Sequence, residues 1–564
     1  MVRYVNASAA PGGDGLSWAT AYDTFDQALM DATSGDQIWV AAGTYVGNFT
    51  LALGVEHYGG FAGTETELSQ RDWTANPTIL DGNQTGSVVT GPVGATATTR
   101  IDGFTITNGS ASGLYLDNSS PTIANNTITR NSAYERGAGL YLRHSSATIM
   151  NNTITENSAS YDSVGGGLYL WRSSPTIANN TITGNSAKWS GGGLYLWESS
   201  ASVANNTITR NVAVDGGGLS LANSSPTIAN NRIASNRAAY GGAMSLGSSS
   251  PMIVNNTITA NVAYVGGGLW LHMSSPTIAN NTITGNSATT SGGAMYFETD
   301  SSPTIVNTII AFNSSGIDAD GGTPVFRNNC IYGNTAHNYD GVSDPTGTND
   351  NISADPRLAD RAYGNVHIQP DSPCVDAGNN TDSTGDLDID GEPRIQTGTV
   401  DIGADETNGT IWSPGPYVTV RVKPDGDDAN DGSSWVFAKR TVQAAIDAAA
   451  AVGGEVWVEA GTYEECITLH PFAYVYGGFR GDEVTRDERN WIAHVTTLDG
   501  QQRGSVVSAR AGHGVSAIDG FTVFIVFRIS NVIVTRAATA SRTPRRRTGV
   551  CVASGRRAAC CCGV

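Results

Sequence analysis

One phrase recurs along this chain, Ser-Ser-Pro-Thr-Ile-Ala-Asn-Asn-Thr-Ile-Thr, each time followed by a glycine cluster and Leu-Tyr-Leu or a variant of it. Its proline, or the residue in that place, falls at 121, 147, 175, 201, 226, 251, 276 and 303, so copies are 25 to 28 residues apart. A fixed period of this size marks a solenoid, in which each unit buries its apolar side against its neighbours. Each unit carries two short apolar alternations and no 3.6-residue pattern, which makes the units β coils rather than helix pairs.

One coil shows the logic. In Thr176-Ile177-Ala178-Asn179-Asn180-Thr181-Ile182-Thr183 two isoleucines flank an asparagine pair. Asparagine tolerates the left-handed backbone region, so the pair is a bend that keeps both isoleucines pointing inward. In Gly167-Leu168-Tyr169-Leu170-Trp171 inward leucines alternate with outward aromatics. Stacking such coils sets like residues on like at about 4.8 Å per coil. The asparagines at 126, 152, 180, 206, 231, 256 and 281 are expected to form an amide ladder, with a second row at 131, 157, 185, 211, 236, 261 and 286. The fold class is therefore all-β, a right-handed parallel β-helix over residues 36–340. Many Asn-x-Thr sequons coincide with the corner ladder, which assigns them a buried structural role.

Before the repeats, Thr24-Phe25-Asp26-Gln27 reads as a capping box. Phe25, Ala28, Leu29 and Ala32 share one helical face, so a short helix ending near Gly35 is expected to cover the open end of the stack. This opening is duplicated. Gly43-Thr44-Tyr45, Tyr58-Gly59-Gly60-Phe61 and Leu80-Asp81-Gly82 recur 418 residues later, and Ile101-Asp102-Gly103-Phe104 recurs 417 later. A second capping helix follows through Val442, Ala445, Ile446 and Ala449. The expected organisation is a complete module over 1–410 (cap and first coils 1–112, repeats 113–313, closing region 314–410). A Pro-Gly linker follows at 411–416, then the start of a second module over 417–535. From Arg528 onward there are eight arginines and no acid, with four of the seven cysteines in the last fourteen residues. This tail interrupts a recognisable repeat, so residues 536–564 read as the disordered product of a reading-frame change or truncated gene, rather than as a nucleic-acid arm.

The net charge of −19 argues against nucleic acid or anionic membrane as a partner. Only three lysines occur, at 188, 423 and 439. There is no membrane-spanning run, and no leader precedes the first strand at Tyr4-Val5-Asn6, so for a secreted protein the start is expected to be clipped or misassigned. Cys330 and Cys374 are candidates to pair at the end of the first module, and Cys466 is left over.

Tyr4-Val5-Asn6, Gln70-Arg71-Asp72 and residues 15–18, 38–45, 58–63 and 78–82 resemble the opening of bacterial surface β-helix proteins with pectin-lyase-like repeats, the right-handed β-helix repeat or choice-of-anchor Q type, related to polymorphic outer-membrane proteins. Cys374-Val375-Asp376-Ala377-Gly378 and residues 388–394 and 400–404 resemble the close of that module. The resemblance covers 1–406 and 417 to about 535. It implies the fold and a secreted or cell-surface location; it implies little about activity.

Three sets of residues could carry function. Glu135, Asp162, Lys188 and Asp215 sit on loops of four successive coils, with Arg136 and Tyr134, Tyr161, Trp189, Tyr240 and Tyr264 in the same column. A lyase on this fold needs acids for Ca²⁺ and a Lys or Arg base; a hydrolase needs two carboxylates about 5–9.5 Å apart. The competing reading is a solvated loop edge. On the outward strand face, Tyr141, Tyr169, Trp171, Tyr195, Trp197 and Trp270, with Tyr115 and Tyr296, form an aromatic column that can stack sugar rings or simply pair across strands. Asp386, Asp388 and Asp390, ahead of Gly391, have spacing that suits Ca²⁺, although Thr397 stands where an EF-hand has Glu. The expectation is a monomeric, secreted or surface β-helix scaffold that binds a polysaccharide or cell-surface glycan without catalysis and with no certain cofactor beyond possible Ca²⁺. A polysaccharide lyase or glycoside hydrolase is the alternative.

Overall fold

The computed structural model describes residues 1–134, 136–298, 300–361, 364–396, 398–412, 418–501, 505–509, 516–524, 526–529 and 532–535. It divides into two compact units, one of Met1–Arg357 with Pro370–Gly409, the other of Leu358–Gln369 with the chain from Thr410 onward. The expected single module over 1–410 thus yields Leu358–Gln369 to the second unit, where Leu358–Asp360 and Asn365–Ile368 pair antiparallel.

The first unit is a stack of coils whose strands form three long sheets of 13, 12 and 12 strands, all of them parallel pairings between successive coils. The first sheet runs from Val2–Val5 to Val325–Arg327, the second from Gly43–Val46 to Cys330–Tyr332, and the third from Phe49–Thr50 to Tyr339–Asp340. Register is fixed by identity: Ile128, Ile154, Ile182 and Ile208 lie opposite one another. So do Leu140, Leu168 and Leu194. These side chains belong to one continuous fully buried core. Each contributes roughly 1.5–3 kcal/mol of burial, and a one-residue slip would turn a whole strand inside out.

The corners are held by amides. The Nδ2 of Asn126 donates to Oδ1 of Asn152 at 3.1 Å, Asn152 to Asn180 at 3.0 Å, and the chain continues through Asn206, Asn231 and Asn256 to Asn281. The second row runs the same way from Asn131 through Asn157 and Asn185 to Asn334. The ladder residue is the second asparagine of each Asn-Asn pair. The first, which is the sequon acceptor at Asn125, Asn151, Asn179 and Asn205, has a left-handed backbone and points outward, and Asn151 is exposed. The buried role expected for those sequons therefore belongs to the neighbouring residue. The glycines before the third sheet allow coils to approach: a Cβ on Gly167 would lie 2.5 Å from the Gly193 carbonyl oxygen.

At one end, helix α1 (Phe25–Asp31) lays Phe25 and Ala28 on the core, with Phe25 5.2 Å from Phe49 and 5.9 Å from Phe104. Thr24 makes no side-chain capping bond, and the helix stops at Asp31, short of Gly35. At the other end the segment Pro370–Gly409 lies along the outward asparagines. Asn255 Nδ2 donates to the Leu387 carbonyl at 3.0 Å, Asn307 and Asn379 bond reciprocally, and Asn328 Nδ2 donates to the Ala377 carbonyl at 3.1 Å.

The second unit has its own core around helix α2 (Val442–Val452), capped by Thr441, and parallel strands of the same kind. Trp457 stacks on Phe479 at 4.9 Å, as Trp39 does on Phe61 at 4.8 Å in the first unit. Its last described strands, Val526–Ile529 and Val532–Thr535, pair antiparallel rather than as a new coil. The tail 536–564 lies outside the described residues.

Candidate binding face

The outward side of the third sheet carries two columns set by the strand alternation that buries its leucines. The first runs Tyr115, Tyr141, Tyr169, Tyr195, Ser220, Ser245, Trp270, Tyr296, Asp318 and Asp340. The second runs Asp117, Arg143, Trp171, Trp197, Ala222, Gly247 and His272. The four tyrosines lie 5.1–5.4 Å apart, ring to ring.

These positions do not all face solvent. Tyr169 and Tyr195 are only 1% and 8% exposed, and burial pushes both hydroxyls above the usual tyrosine range. Arg136 lies over Tyr169 at 5.8 Å and over Trp171 at 5.7 Å. Tyr169 and Tyr195 are thus a cross-strand stack under cover, with no ring face open to a sugar, which corrects their expected stacking role. Tyr141, Trp171 and Trp270 are half-buried; Trp171 is also flanked by Arg143 at 4.8 Å and Arg172 at 5.9 Å. Trp197, 40% exposed, presents its ring with the indole N–H donated to Glu198 at 3.1 Å.

The larger exposed aromatics lie on the loops entering this sheet. Tyr134 and Tyr161, 60% and 59% exposed, stack at 4.8 Å. Lys188 sits over Tyr161 at 5.5 Å and over Trp189 at 5.7 Å, and the Trp189 indole donates to Asp162 at 3.2 Å. Tyr240 and Tyr264 continue the exposed edge. Lys188 and Asp162 therefore share one aromatic cluster. Asp215 does not join them: its coil neighbours in register are Ser190 and Tyr240. Burial raises its carboxyl, and the Ser190 hydroxyl donates to it at 3.4 Å. Loops of unequal length break the four-residue column, and Glu135 lies outside the described residues.

The Asp386–Asp390 stretch is a turn rather than a ligand set. Asp388 is buried, and its carboxylate accepts from the amides of Asp390 (2.9 Å), Glu392 (2.9 Å) and Glu406 (3.0 Å), while Asp386 and Asp390 are exposed. Of the three expected ligands only Asp388 turns inward, and both of its oxygens accept from backbone amides.

A group that the repeat phrase does not announce lies on the last coils of the same face. The Tyr296 hydroxyl donates to Asp320, His337 pairs with Asp318, and His272 pairs with Glu298. Burial first, then these three carboxylates, raise the Tyr296 hydroxyl. The alternation in Ile317-Asp318-Ala319-Asp320 is the signal that could have found it, since both acids take outward positions.

Coil geometry and sequence pattern converge on one family, the right handed beta helix region, which matches residues 74–187, 112–283 and 192–352. The chain is a right-handed β-helix protein. No curated protein matches this β-helix protein significantly. Among solved structures it is similar to pectate lyase Pel9A (14% identity, TM-score 0.38, covering 72% of this chain and 96% of that one). It is also similar to XylC in complex with xylose (11%, TM-score 0.40, 72% and 98%) and to the PL6 family alginate lyase AlyGC (14%, TM-score 0.35, 93% and 71%). Likenesses this distant say nothing about what the β-helix protein binds. No helix among its described residues is long and apolar enough to cross a membrane.

Proposed function

We propose that this protein is a secreted or surface-displayed scaffold that binds a glycan along the entry loops of the third sheet without turning it over. The observation that carries this reading is the run of exposed aromatic rings on successive coils, Tyr134, Tyr161 and Trp189, with Trp197 exposed at the far end of the strand that follows Trp189. The apolar face of a pyranose packs on an open aromatic plane, and the exposed side of this cluster offers such a plane. Lys188 and Asp162 supply polar contacts next to the rings. The test is binding to immobilised glycans by the full chain and by Trp189→Ala and Trp197→Ala. Each lost ring is expected to cost on the order of 1 kcal/mol, about fivefold in affinity. Unchanged binding in the double variant would discard the reading.

A second reading, glycoside hydrolysis, is favoured by the acid group on the last coils. Asp318 and Asp320, within the strand Ile317–Ala319 and just beyond it, both act on the Tyr296 hydroxyl, and a pair of carboxyl groups is what such chemistry requires. It ranks second because Asp318 is 6% exposed and already engaged by Gly292 N–H, Ser315 and His337. Release of reducing ends that disappears in Asp320→Asn would promote it over the first.

A further inference from the structure

On the second sheet one outward column is threonine over five coils, with Thr105, Thr127, Thr153, Thr181 and Thr207 in register. At the closed end the column turns apolar: Thr282 is followed by Ile309, and Ile309 by Cys330. The change falls where Pro370–Gly409 covers this face. The Ala404 amide donates to Thr282 Oγ1 at 3.0 Å, and a Cβ on Gly403 would lie 2.7 Å from Ile309 Cδ1. In the next coil Cys374 meets Cys330.

Both cysteines are fully buried. Both are free thiols in this structure. The Cys330 thiol donates to the Ala354 carbonyl at 3.2 Å. The segment that carries Cys374 is held on the coil of Cys330 and the one before it: the Ala377 carbonyl accepts from Asn328 Nδ2 at 3.1 Å, and Asn379 bonds Asn307 in both directions. The neighbouring Cys330 thiol, together with burial, pushes the Cys374 thiol well above its usual range. Backbone bonds fix Cys374 in place: its amide donates to Ser372 Oγ at 3.1 Å, and its carbonyl accepts from Ile402 at 2.9 Å. Among the described residues no His, Asp or Glu converges with the two sulfurs to complete a metal site. The only other described cysteine, Cys466, belongs to the second unit. Two buried thiols brought together by the closing segment, closed to solvent and without a third ligand, are suited to one covalent use.

We propose that Cys330 and Cys374 form a structural disulfide that staples the closing segment to the last coil. The bond is made before that segment docks, by exchange with a small disulfide of the oxidised-glutathione type. One cysteine thiolate attacks the small disulfide and releases a first thiol; the second cysteine attacks the mixed disulfide and releases another. Two electrons pass from the protein sulfurs to the reagent, and the two released thiols keep the protons. The link joins positions 44 apart in sequence, so it restricts the unfolded chain strongly.

The test uses the full chain refolded with oxidised glutathione, then unfolded without reductant in the presence of iodoacetamide and digested with trypsin. Peptides 328–357 and 362–394 are expected as one linked mass that separates on reduction, with Cys466 alkylated. Alkylation of both Cys330 and Cys374 would overturn the proposal. In a second measurement, protease cleavage within 370–409 is expected to be at least about tenfold slower in the oxidised protein than after reduction. Cys374→Ser should match the reduced rate under both conditions. Equal rates for oxidised and reduced wild type would also overturn the proposal, and that comparison needs no variant to fold.

Discussion

Replacing Asn185 by alanine isolates what one rung of the corner ladder contributes. The side chain is wholly buried. Its Nδ2 donates to the Ile154 carbonyl at 2.8 Å and to Asn211 Oδ1 at 3.1 Å. Its Oδ1 accepts from the Asn157 amide at 3.1 Å and from Asn157 Nδ2 at 3.0 Å. Two of the orphaned partners keep another bond: Asn157 Nδ2 still donates to the Ile128 carbonyl, and Asn211 Oδ1 still accepts from the backbone amide at 185. The other two, the Asn157 N–H and the Ile154 carbonyl, lose this bond inside the core wall. At about 1–3 kcal/mol for each buried polar group left unmade, Asn185→Ala should destabilise by about 2–6 kcal/mol. That equals or exceeds the roughly 2–5 kcal/mol expected of Ile182→Ala in the same coil. The exposed neighbour change Thr181→Ala should stay within about 0.5 kcal/mol. Urea titration gives the total, and hydrogen exchange at the amides of residues 157 and 211 tests whether the loss is local to adjoining coils, as a solenoid requires. An Asn185→Ala protein as stable as Thr181→Ala would show that the ladder is incidental and that the isoleucine stack alone holds the register.

Tyr195→Ala should destabilise the first unit by about 3 kcal/mol or more, because the ring is a covered part of the stack, while Trp197→Ala should leave the melting temperature unchanged. The reverse pattern in thermal unfolding would mean that the face is open where it is described as closed. His57 is fully buried and held to a pKa of about 4 instead of 6.5, chiefly by desolvation. The unfolded chain therefore takes up a proton first: stability is complete above pH 6.5 and falls by up to roughly 3 kcal/mol as pH drops towards 4. Denaturation midpoints across pH 4–7 should lose that part of their slope in His57→Gln. Adding millimolar Ca²⁺ to the protein should leave its melting temperature within 1 °C of the calcium-free value, because the Asp388 oxygens already hold three amides; a larger rise would restore the turn as a metal site.

The coil architecture could be read from the chain because inward positions repeat coil after coil: Ile128, Ile154, Ile182 and Ile208 occupy one place, and nothing but an isoleucine stack explains them. The ladder followed from the same counting, although which asparagine of each pair turns inward depends on where the left-handed residue falls. The candidate site was less legible. Sequence position puts Lys188 and Asp215 in one column, but the loop from Asn185 to the strand at Leu194 is one residue longer than the loop from Asn211 to the strand at Leu219, and the shift brings Ser190 opposite Asp215. Tyr169 has the alternation of an outward residue and is outward; its burial comes from Arg136, supplied by the loop of the preceding coil, which no periodicity encodes. Asp318 and Asp320 went unread because the phrase that fixes phase has faded by that coil.

Because every rung of the two asparagine rows donates in the same sense, towards the later coil, each coil offers its successor donors and its predecessor acceptors, and all the interior coils are interchangeable in this respect. A genetic slip that duplicates or deletes one such unit needs no compensating change elsewhere: the new joint is the old joint made again, and the rod grows or shrinks by about 4.8 Å. Length is thus a freely heritable dimension of this molecule, adjustable like the links of a watch strap. Only the two end pieces, the one under Phe25 and the one under Cys374, are fixed in kind.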